Sequence, residues 1–193
     1  MLEYEKKIML TADEYISILM LMRKYVTIQT QTNYYFDNDE MSMNKKGITC
    51  RIRAKDGKYK ATVKNHIAEK PECSIEVDLM EKPEFDPRIF NVFGLHHKGK
   101  LITDRVVLHK DSTCEMVLDR NMYLGNTDFE LEVEYCKGSE HKAQSLIESI
   151  AECLVSENLL TSIDDFMLRI GQGNSKSQRF FERLKNKNNI FQT

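Results

Sequence analysis

Polar and hydrophobic residues alternate along eight short segments of the chain, a pattern typical of β-strands with two different faces. The alternation predicts strands at residues 3–7, 29–37, 48–55, 58–64, 72–79, 101–109, 113–119 and 128–135. Asp56-Gly57 and Gly125-Asn126 are turn signals between neighbouring strands. Because closure of eight antiparallel strands removes exposed edges, we expect an α+β, β-dominated fold: a closed eight-stranded barrel, or tunnel, with flanking helices.

Helical patterns lie between and after these strands. They predict helices at residues 11–25, 86–92, 139–157 and 175–186, the first starting at the capping box Thr11-Ala-Asp-Glu14. Gly94 and Gly99 predict a solvated loop around His96-His97. No internal repeat or linker is found, so we expect one domain over residues 1–193, with a core to about residue 185 and a frayed end.

One face of most strands is charged, and each face carries mainly one sign. The basic and acidic positions that alternate in this way are Arg51 and Arg53, Lys60 and Lys64, Glu72, Glu76 and Asp78, and Glu130, Glu132 and Glu134. An open sheet with a solvated outer face is the alternative, but such a face would mix both signs with Ser, Thr and Gln. Like charges on one face repel each other unless a ligand compensates them. The pattern therefore favours a barrel with a hydrated, charged interior, in which acidic strands hold divalent metal and basic strands hold phosphates.

The bulk composition places the chain among globular proteins and restricts its partners. Its 193 residues are 41% hydrophobic and 30% charged, and 28 basic against 30 acidic residues give a net charge of −2. A nucleic-acid binder would usually be basic, so we do not expect that partner. The longest apolar stretch, residues 16–22, is too short to span a bilayer. Five cysteines without CxxC spacing predict reduced thiols and a cytoplasmic protein, and a homodimer is left open.

Several motifs, in chain order, resemble those of the CYTH superfamily, the triphosphate tunnel metalloenzymes. Glu3-Tyr-Glu5-Lys-Lys7 matches the N-terminal ExExK signature. The resemblance continues through Tyr34-Tyr-Phe-Asp37, Arg51-Ile-Arg53, Thr62-Val-Lys64, Glu76, Thr103-Asp-Arg105, Leu118-Asp119, Tyr123-Leu-Gly125, Glu130-Leu-Glu132-Val-Glu134 and Ser175-Lys176-Ser-Gln-Arg179-Phe180. It spans nearly the whole chain, which is most similar to the small stand-alone CYTH proteins of Gram-positive bacteria.

The resemblance implies a tunnel that binds triphosphates together with Mg²⁺ or Mn²⁺. Hard divalent cations take carboxylate oxygens, so the metal-ligand candidates are Glu3, Glu5, Glu76, Asp119, Glu130, Glu132 and Glu134. Guanidinium and ammonium groups bind phosphate oxygens, so the triphosphate-binding candidates are Lys7, Arg51, Arg53, Lys60, Lys64, Arg105, Lys176 and Arg179.

The activity that this resemblance favours is metal-dependent hydrolysis of inorganic triphosphate or of a small organic triphosphate. The expected catalytic residues are Glu5, Lys7, Glu132 and Glu134, with a carboxylate or a second ion orienting the attacking water. One alternative is a class IV-type adenylate cyclase, although no segment identifies an adenine pocket. Another is a non-catalytic sensor that binds triphosphate or polyphosphate without turnover. The many carboxylates favour catalysis, because a pure anion binder has little use for them.

Overall fold

The computed structural model of the chain describes residues 2–21, 27–67, 70 and 72–190. Its strands are β1 (Leu2–Leu10), β2 (Ile28–Asp37), β3 (Ile48–Lys55), β4 (Lys58–His66), β5 (Cys73–Lys82), β6 (His96–Lys110), β7 (Cys114–Tyr123) and β8 (Asn126–Tyr135). They form a closed barrel in the order β1-β5-β4-β3-β2-β6-β7-β8, and β8 pairs again with β1. Every neighbouring pair is antiparallel, so the predicted barrel is confirmed.

Helices follow or interrupt the strands. They are α1 (Ala12–Leu21), α2 (Ser42–Lys45), α3 (Arg88–Asn91), α4 (Glu140–Ser156), α5 (Ile163–Met167) and α6 (Lys176–Ile190). The short α2 and α5 were not predicted, and α6 continues to residue 190 rather than ending at 186. Residues 22–25 of the first predicted helix and the last three residues of the chain lie outside the described residues. Within the described part, no helix has the length and apolar character needed to cross a membrane.

The predicted capping box at the start of α1 is present and is tied to a later part of the chain. The Glu14 backbone N–H donates to Thr11 Oγ1 at 3.2 Å, and the Thr11 N–H donates to Glu14 Oε2 at 2.7 Å. Arg169, just beyond α5, donates to both oxygens of the same carboxylate at 2.6 and 2.9 Å. The Glu14 carboxylate therefore fixes both the start of α1 and the position of the segment after α5.

Apolar clusters on the outside of the barrel leave the charged strand faces inside. In the largest cluster, α1, α4 and α5 cover the outer faces of β1, β7 and β8 with buried residues that include Ile18, Ile147, Leu154 and Phe166. A second cluster packs Phe90 of α3 against Phe36, Cys50 and Ile52 of β2 and β3. Because apolar side chains take the outer positions, their alternate neighbours must point into the barrel.

The outer face of β5 lacks the helical cover that the outer faces of β1, β7 and β8 have, as far as the described residues show. Ile75, Val77 and Leu79 are all exposed, because none of the described helices lies over this strand. The ladder between β4 and β5 is also irregular here. Thr62 pairs with Asp78 and Ala61 pairs with Met80, which leaves Leu79 as an extra residue on β5.

The predicted loop around His96-His97 is also wrong, since β6 begins at His96. The ring of His97 packs 5.7 Å from the rings of Tyr34 and Phe36, measured between centroids. The strand continues past Gly99 because a register shift against β2 absorbs one residue. The glycine therefore marks a bulge within a strand and not the end of a loop.

Helix α6 closes one end of the barrel. Phe180 and Phe181 are almost completely buried, in a cluster with Tyr35 of β2, Leu101 of β6 and Tyr123 of β7. Phe180 packs over the bulge, where a Cβ atom built on Gly99 would lie 2.8 Å from its Cζ atom. The helix can approach this closely because residue 99 has no side chain.

We expect Gly99→Ala to reduce the free energy of unfolding by about 2 kcal/mol or more, because the new methyl group would clash with Phe180. The backbone φ of 142° at this position adds conformational strain. Gly57→Ala is the matched control, since its φ is 74° and a Cβ atom there meets nothing within 4 Å. Urea unfolding followed by circular dichroism measures both. Equal losses in the two variants would contradict the proposed contact.

Candidate functional site

A cavity of about 280 Å³ lies inside the barrel, and most of its lining is charged. The basic residues that line it are Lys7, Arg51, Arg53, Lys55, Lys64, Arg105, Lys110 and Lys176, and the acidic ones are Glu3, Glu5, Glu76, Glu115, Glu132 and Glu134. The predicted charged interior is therefore present. The two signs are brought together by closure, because strands that are far apart in sequence become neighbours around the cavity.

Arg53 differs from the other guanidinium groups of the cavity in the partner it has. Its Nε atom donates to Asn33 Oδ1 at 3.0 Å, and within the described residues no carboxylate forms an ion pair with it. Arg51, by contrast, donates twice to the Glu76 carboxylate at 3.0 and 2.8 Å. Burial and the neighbouring Arg51 lower the pKa of Arg53 to about 10, which leaves the group charged at neutral pH. Among the described residues, Arg53 is thus a cation inside the barrel without a carboxylate in contact, although the charge of Glu76 acts on it at longer range and favours its ionised form.

Three carboxylates lie close together on the facing wall, and we call Glu5, Glu132 and Glu134 the outer acidic site. One oxygen from each lies within 4.8 Å of the others. Burial and then the charge of Glu132 raise the pKa of Glu5 to about 7, and the same two causes raise the pKa of Glu134. Such crowding is unfavourable for ionised carboxylates, and a divalent cation bound between them would relieve it. Their oxygen atoms are the donors that Mg²⁺ and Mn²⁺ prefer.

A second group, Asp119, Glu130 and Glu132, lies deeper, and we call it the inner acidic site. Its carboxylate oxygens are also within 4.8 Å of one another. The Lys176 ammonium lies among them, 3.0 Å from Asp119 Oδ2, 2.7 Å from Glu132 Oε1 and in contact with Glu130 Oε1. Although burial opposes its ionisation, Lys176 and then Arg105 hold the pKa of Glu132 well below its usual range.

Two further guanidinium groups neutralise this region of the barrel. Arg105 donates to both oxygens of Asp119, at 2.9 and 2.7 Å, and to Glu132 Oε2 at 2.9 Å. Arg179 donates to Glu130 Oε2 at 2.9 Å and to Asp128. Burial opposes both charges, but the surrounding carboxylates raise the pKa values of Arg105 and Arg179. The deep part of the site is therefore an ion-pair network built from three basic side chains.

Lys7 and Lys64 lie at the boundary with a second cavity of about 270 Å³. Lys7 Nζ donates to the Asn174 backbone oxygen at 3.0 Å, and Lys64 Nζ lies 3.0 Å from Glu3 Oε2 and 3.9 Å from Glu5 Oε2. The second cavity shares Glu5, Lys7, Lys64, His66 and Ser175 with the first and is otherwise lined by Ile67, Glu72, Cys73, Ser74, Gly171, Gly173, Asn174 and Gln178. It provides a less charged surface directly beside the charged cavity.

Most of the residues predicted from the sequence line the charged cavity, but four do not. Asp119, Glu130 and Arg179 belong to the buried ion-pair network behind the lining. Lys60, expected as a phosphate-binding residue, is not among the lining side chains. Its Nζ atom lies 2.7 Å from Asp78 Oδ2, and the side chain is 43% exposed. Lys60 shares its strand face with Lys64, but the two lysines lie toward opposite ends of β4, and at its end Lys60 pairs with Asp78 instead of facing the cavity.

Sequence reasoning missed several polar residues that line the cavity. Gln29 and Gln31 share a strand face with Tyr35, Thr49 shares one with Arg51, and His66 shares one with Lys64. The same alternation that identified the charged residues could have found these neighbours. Ser175 directly precedes α6 and Ser177 lies in its first turn, where Ser177 Oγ is 2.7 Å from Thr49 Oγ1. No local pattern predicts that contact.

Comparisons with known proteins agree with this geometry. Residues 1–161 match the family model described as CYTH domain. YjbK of Bacillus subtilis, named as a proposed triphosphatase, is 31% identical over 155 residues, which cover 69% of this chain and 77% of YjbK.

Two solved structures have the same fold. One, from Bacillus halodurans and described as a proposed adenylate cyclase, matches with a TM-score of 0.66 and 22% identity over 93% of this chain and 97% of its own. The other, from Hippeastrum, is described as a proposed adenylyl cyclase that reveals a dominant triphosphatase activity. It matches with a TM-score of 0.63 and 16% identity over 94% of this chain and 95% of its own. At these identities the two structures show the fold alone.

We expect His66 to stay neutral far below the pH at which histidine usually titrates. Burial and then the charges of Lys64, Lys7 and Arg51 lower its pKa to about 4. Because the pKa of His66 is lower in the folded state than in the unfolded state, His66 lowers the free energy of unfolding as the pH falls from about 6.5 toward 4. Above about pH 6.5 the imidazole is neutral in both states and has no such cost. NMR titration of the imidazole carbons, assigned with His66→Gln, measures the pKa. A midpoint at pH 6 or above would contradict the half-buried, cation-rich environment.

Proposed function

The chain belongs to the CYTH domain family, and from this premise we propose that it hydrolyses a triphosphate inside the barrel with the help of a divalent metal ion. Inorganic triphosphate or a small organic triphosphate is the substrate class, and Mg²⁺ or Mn²⁺ is the metal. The name of YjbK supports a triphosphatase, and the geometry of the cavity supports the same activity independently.

One observation carries the proposal: a guanidinium without a carboxylate in contact and a crowded group of carboxylates face the same cavity. Arg53 has no carboxylate partner among the described residues, whereas the pKa values of Glu5 and Glu134 are raised by burial and by Glu132. A triphosphate with a bound divalent cation carries negative charge that can pair with Arg53 and positive charge that can pair with the outer acidic site. It would neutralise Arg53 with phosphate oxygens and the outer acidic site with the cation.

The basic residues have distinct roles in binding the phosphate chain. Arg53 offers guanidinium hydrogens that can bind a phosphate group in a bidentate manner. Arg51 lies next to it but is already paired with Glu76. Among the described residues, Lys7 donates to a backbone oxygen and Lys64 contacts the two N-terminal glutamates, so both lysines can turn toward a phosphate. These groups position the chain of phosphates and stabilise the charge that develops on the transferred group.

The residues of the outer acidic site fit a hard divalent cation, since all three donors are carboxylate oxygens. A Mg²⁺ or Mn²⁺ ion held there would supply positive charge to the phosphate oxygens. Glu5 and Glu132 would hold it, and Glu3 is a further candidate through its position beside Lys64. Glu134, whose side chain is 45% exposed, is the carboxylate placed to orient an attacking water and accept its proton.

The substrate panel should include inorganic triphosphate, thiamine triphosphate and ATP, because the second cavity offers room beside the phosphate site. We expect phosphate release from at least one of them with Mg²⁺ or Mn²⁺ and none with EDTA. Mass spectrometry of the ATP reaction tests for cyclic AMP, whose formation would favour the adenylate cyclase. Tight triphosphate binding without any turnover would favour the non-catalytic sensor.

We expect Arg53→Met to raise the KM for the preferred triphosphate at least tenfold, because the charge-assisted hydrogen bonds from the guanidinium to a phosphate group are lost. Arg120→Met is the matched control, since this exposed arginine pairs with Asp104 on the outside of the barrel. Thermal unfolding should show that both variants are folded. A KM for Arg53→Met equal to that of the control would rule out Arg53 as a phosphate-binding residue.

A further inference from the structure

Lys176 is the first residue of α6, and its ammonium occupies the middle of the inner acidic site. It lies within 3.0 Å of a carboxylate oxygen of Asp119, Glu130 and Glu132 alike. Asp119 and Glu130 are fully buried, and the Lys176 side chain is only 13% exposed. The position of the ammonium is the one that a small cation would take between three converging carboxylates.

The outer acidic site has a similar spacing of oxygens, but no ammonium of the described residues lies in its centre. Within the part of the chain that the structure describes, the cation nearest to Glu5 is Lys64, at 3.9 Å, and Arg105 lies 4.0 Å from Glu134. Only Glu132, shared by both sites, has short contacts with Lys176 and Arg105. The two acidic sites therefore differ in one respect: the inner one already contains a cation of the chain itself.

We propose that Lys176 is the resident cation of the inner acidic site, so that this site excludes a divalent metal ion and the outer acidic site alone binds one. The inference rests on the proposed function for the identity of the outer site as the metal site. It changes the role expected for two residues: Asp119 and Glu130 hold an ammonium group rather than metal.

The position of Lys176 is fixed by contacts that do not involve its own charge. Phe180 and Phe181 bury α6 against the end of the barrel, Ser177 contacts Thr49, and Arg179 pairs with Asp128 and Glu130. A metal ion entering the inner site would have to displace an ammonium that this helix holds in place. The helix also lies beyond residue 161, where the match to the family model ends.

The test counts the Mn²⁺ ions bound per chain, by electron paramagnetic resonance of free Mn²⁺ in the absence of any triphosphate. We expect Lys176→Met to bind one ion more than the wild-type protein, because the vacated carboxylates suit a hard cation. Glu130→Gln added to Lys176→Met should remove that extra ion. Lys185→Met, about two and a half turns further along α6, is the matched control and should bind as many ions as the wild type.

An unchanged ion count in folded Lys176→Met would overturn the proposal. If that variant does not fold, Glu130→Gln in the otherwise wild-type chain decides: an unchanged count supports the proposal, and loss of one ion overturns it. The outcome is separate from that of the proposed function. If the wild-type protein binds no Mn²⁺, the proposed metal-dependent activity is contradicted. A gain of one ion in Lys176→Met would still support the role of Lys176.

Discussion

Charge compensation inside a closed barrel is the constraint on which the rest of this structure depends. Closure turns one face of every strand inward, and in this chain those faces carry carboxylate, guanidinium and ammonium groups. Charges removed from water are costly unless they are paired, and the pairs join different strands: Arg51 of β3 with Glu76 of β5, and Arg105 of β6 with Asp119 of β7. The wall of the barrel and its ion pairs therefore stabilise each other, because the strands bring the charges together and the charges need the partners that closure provides.

The compensation is uneven, and this unevenness produces the candidate site. Around the inner acidic site, Lys176, Arg105 and Arg179 neutralise the carboxylates. Facing the cavity, the compensation is incomplete at two groups: Arg53 has an amide oxygen as its hydrogen-bond partner, and Glu5 has a pKa raised to about 7. A network that paired every charge would form a rigid core without a charged group available to bind a ligand. An anion accompanied by a divalent cation has the charges that the cavity lacks.

Helix α6 links the two parts of the barrel. Lys176 and Phe180 are four residues apart and so lie on the same face of the helix. One places an ammonium among buried carboxylates, and the other packs over the backbone of Gly99 at the β6 bulge. Apolar packing at the end of the barrel thereby fixes a charge within it. A change in the position of α6 would alter the electrostatics of the inner acidic site, since the lysine would move with the helix.

The sequence by itself determined the approximate positions of the strands, the barrel and most of the charged residues that face its interior, because alternation along a strand is a local property of the backbone. Glu5, Arg53 and Glu132 could be selected in this way, and the overlooked Gln31 and His66 obey the same rule. Only the tertiary structure decided which acidic and basic side chains form ion pairs with each other. Lys60 shares a strand face with Lys64 yet pairs with Asp78 away from the cavity, and Lys176 reaches three carboxylates through the packing of a helix. Pairing depends on distances between segments that are far apart in sequence, and those distances are set by the register of the closed barrel and by the position of α6.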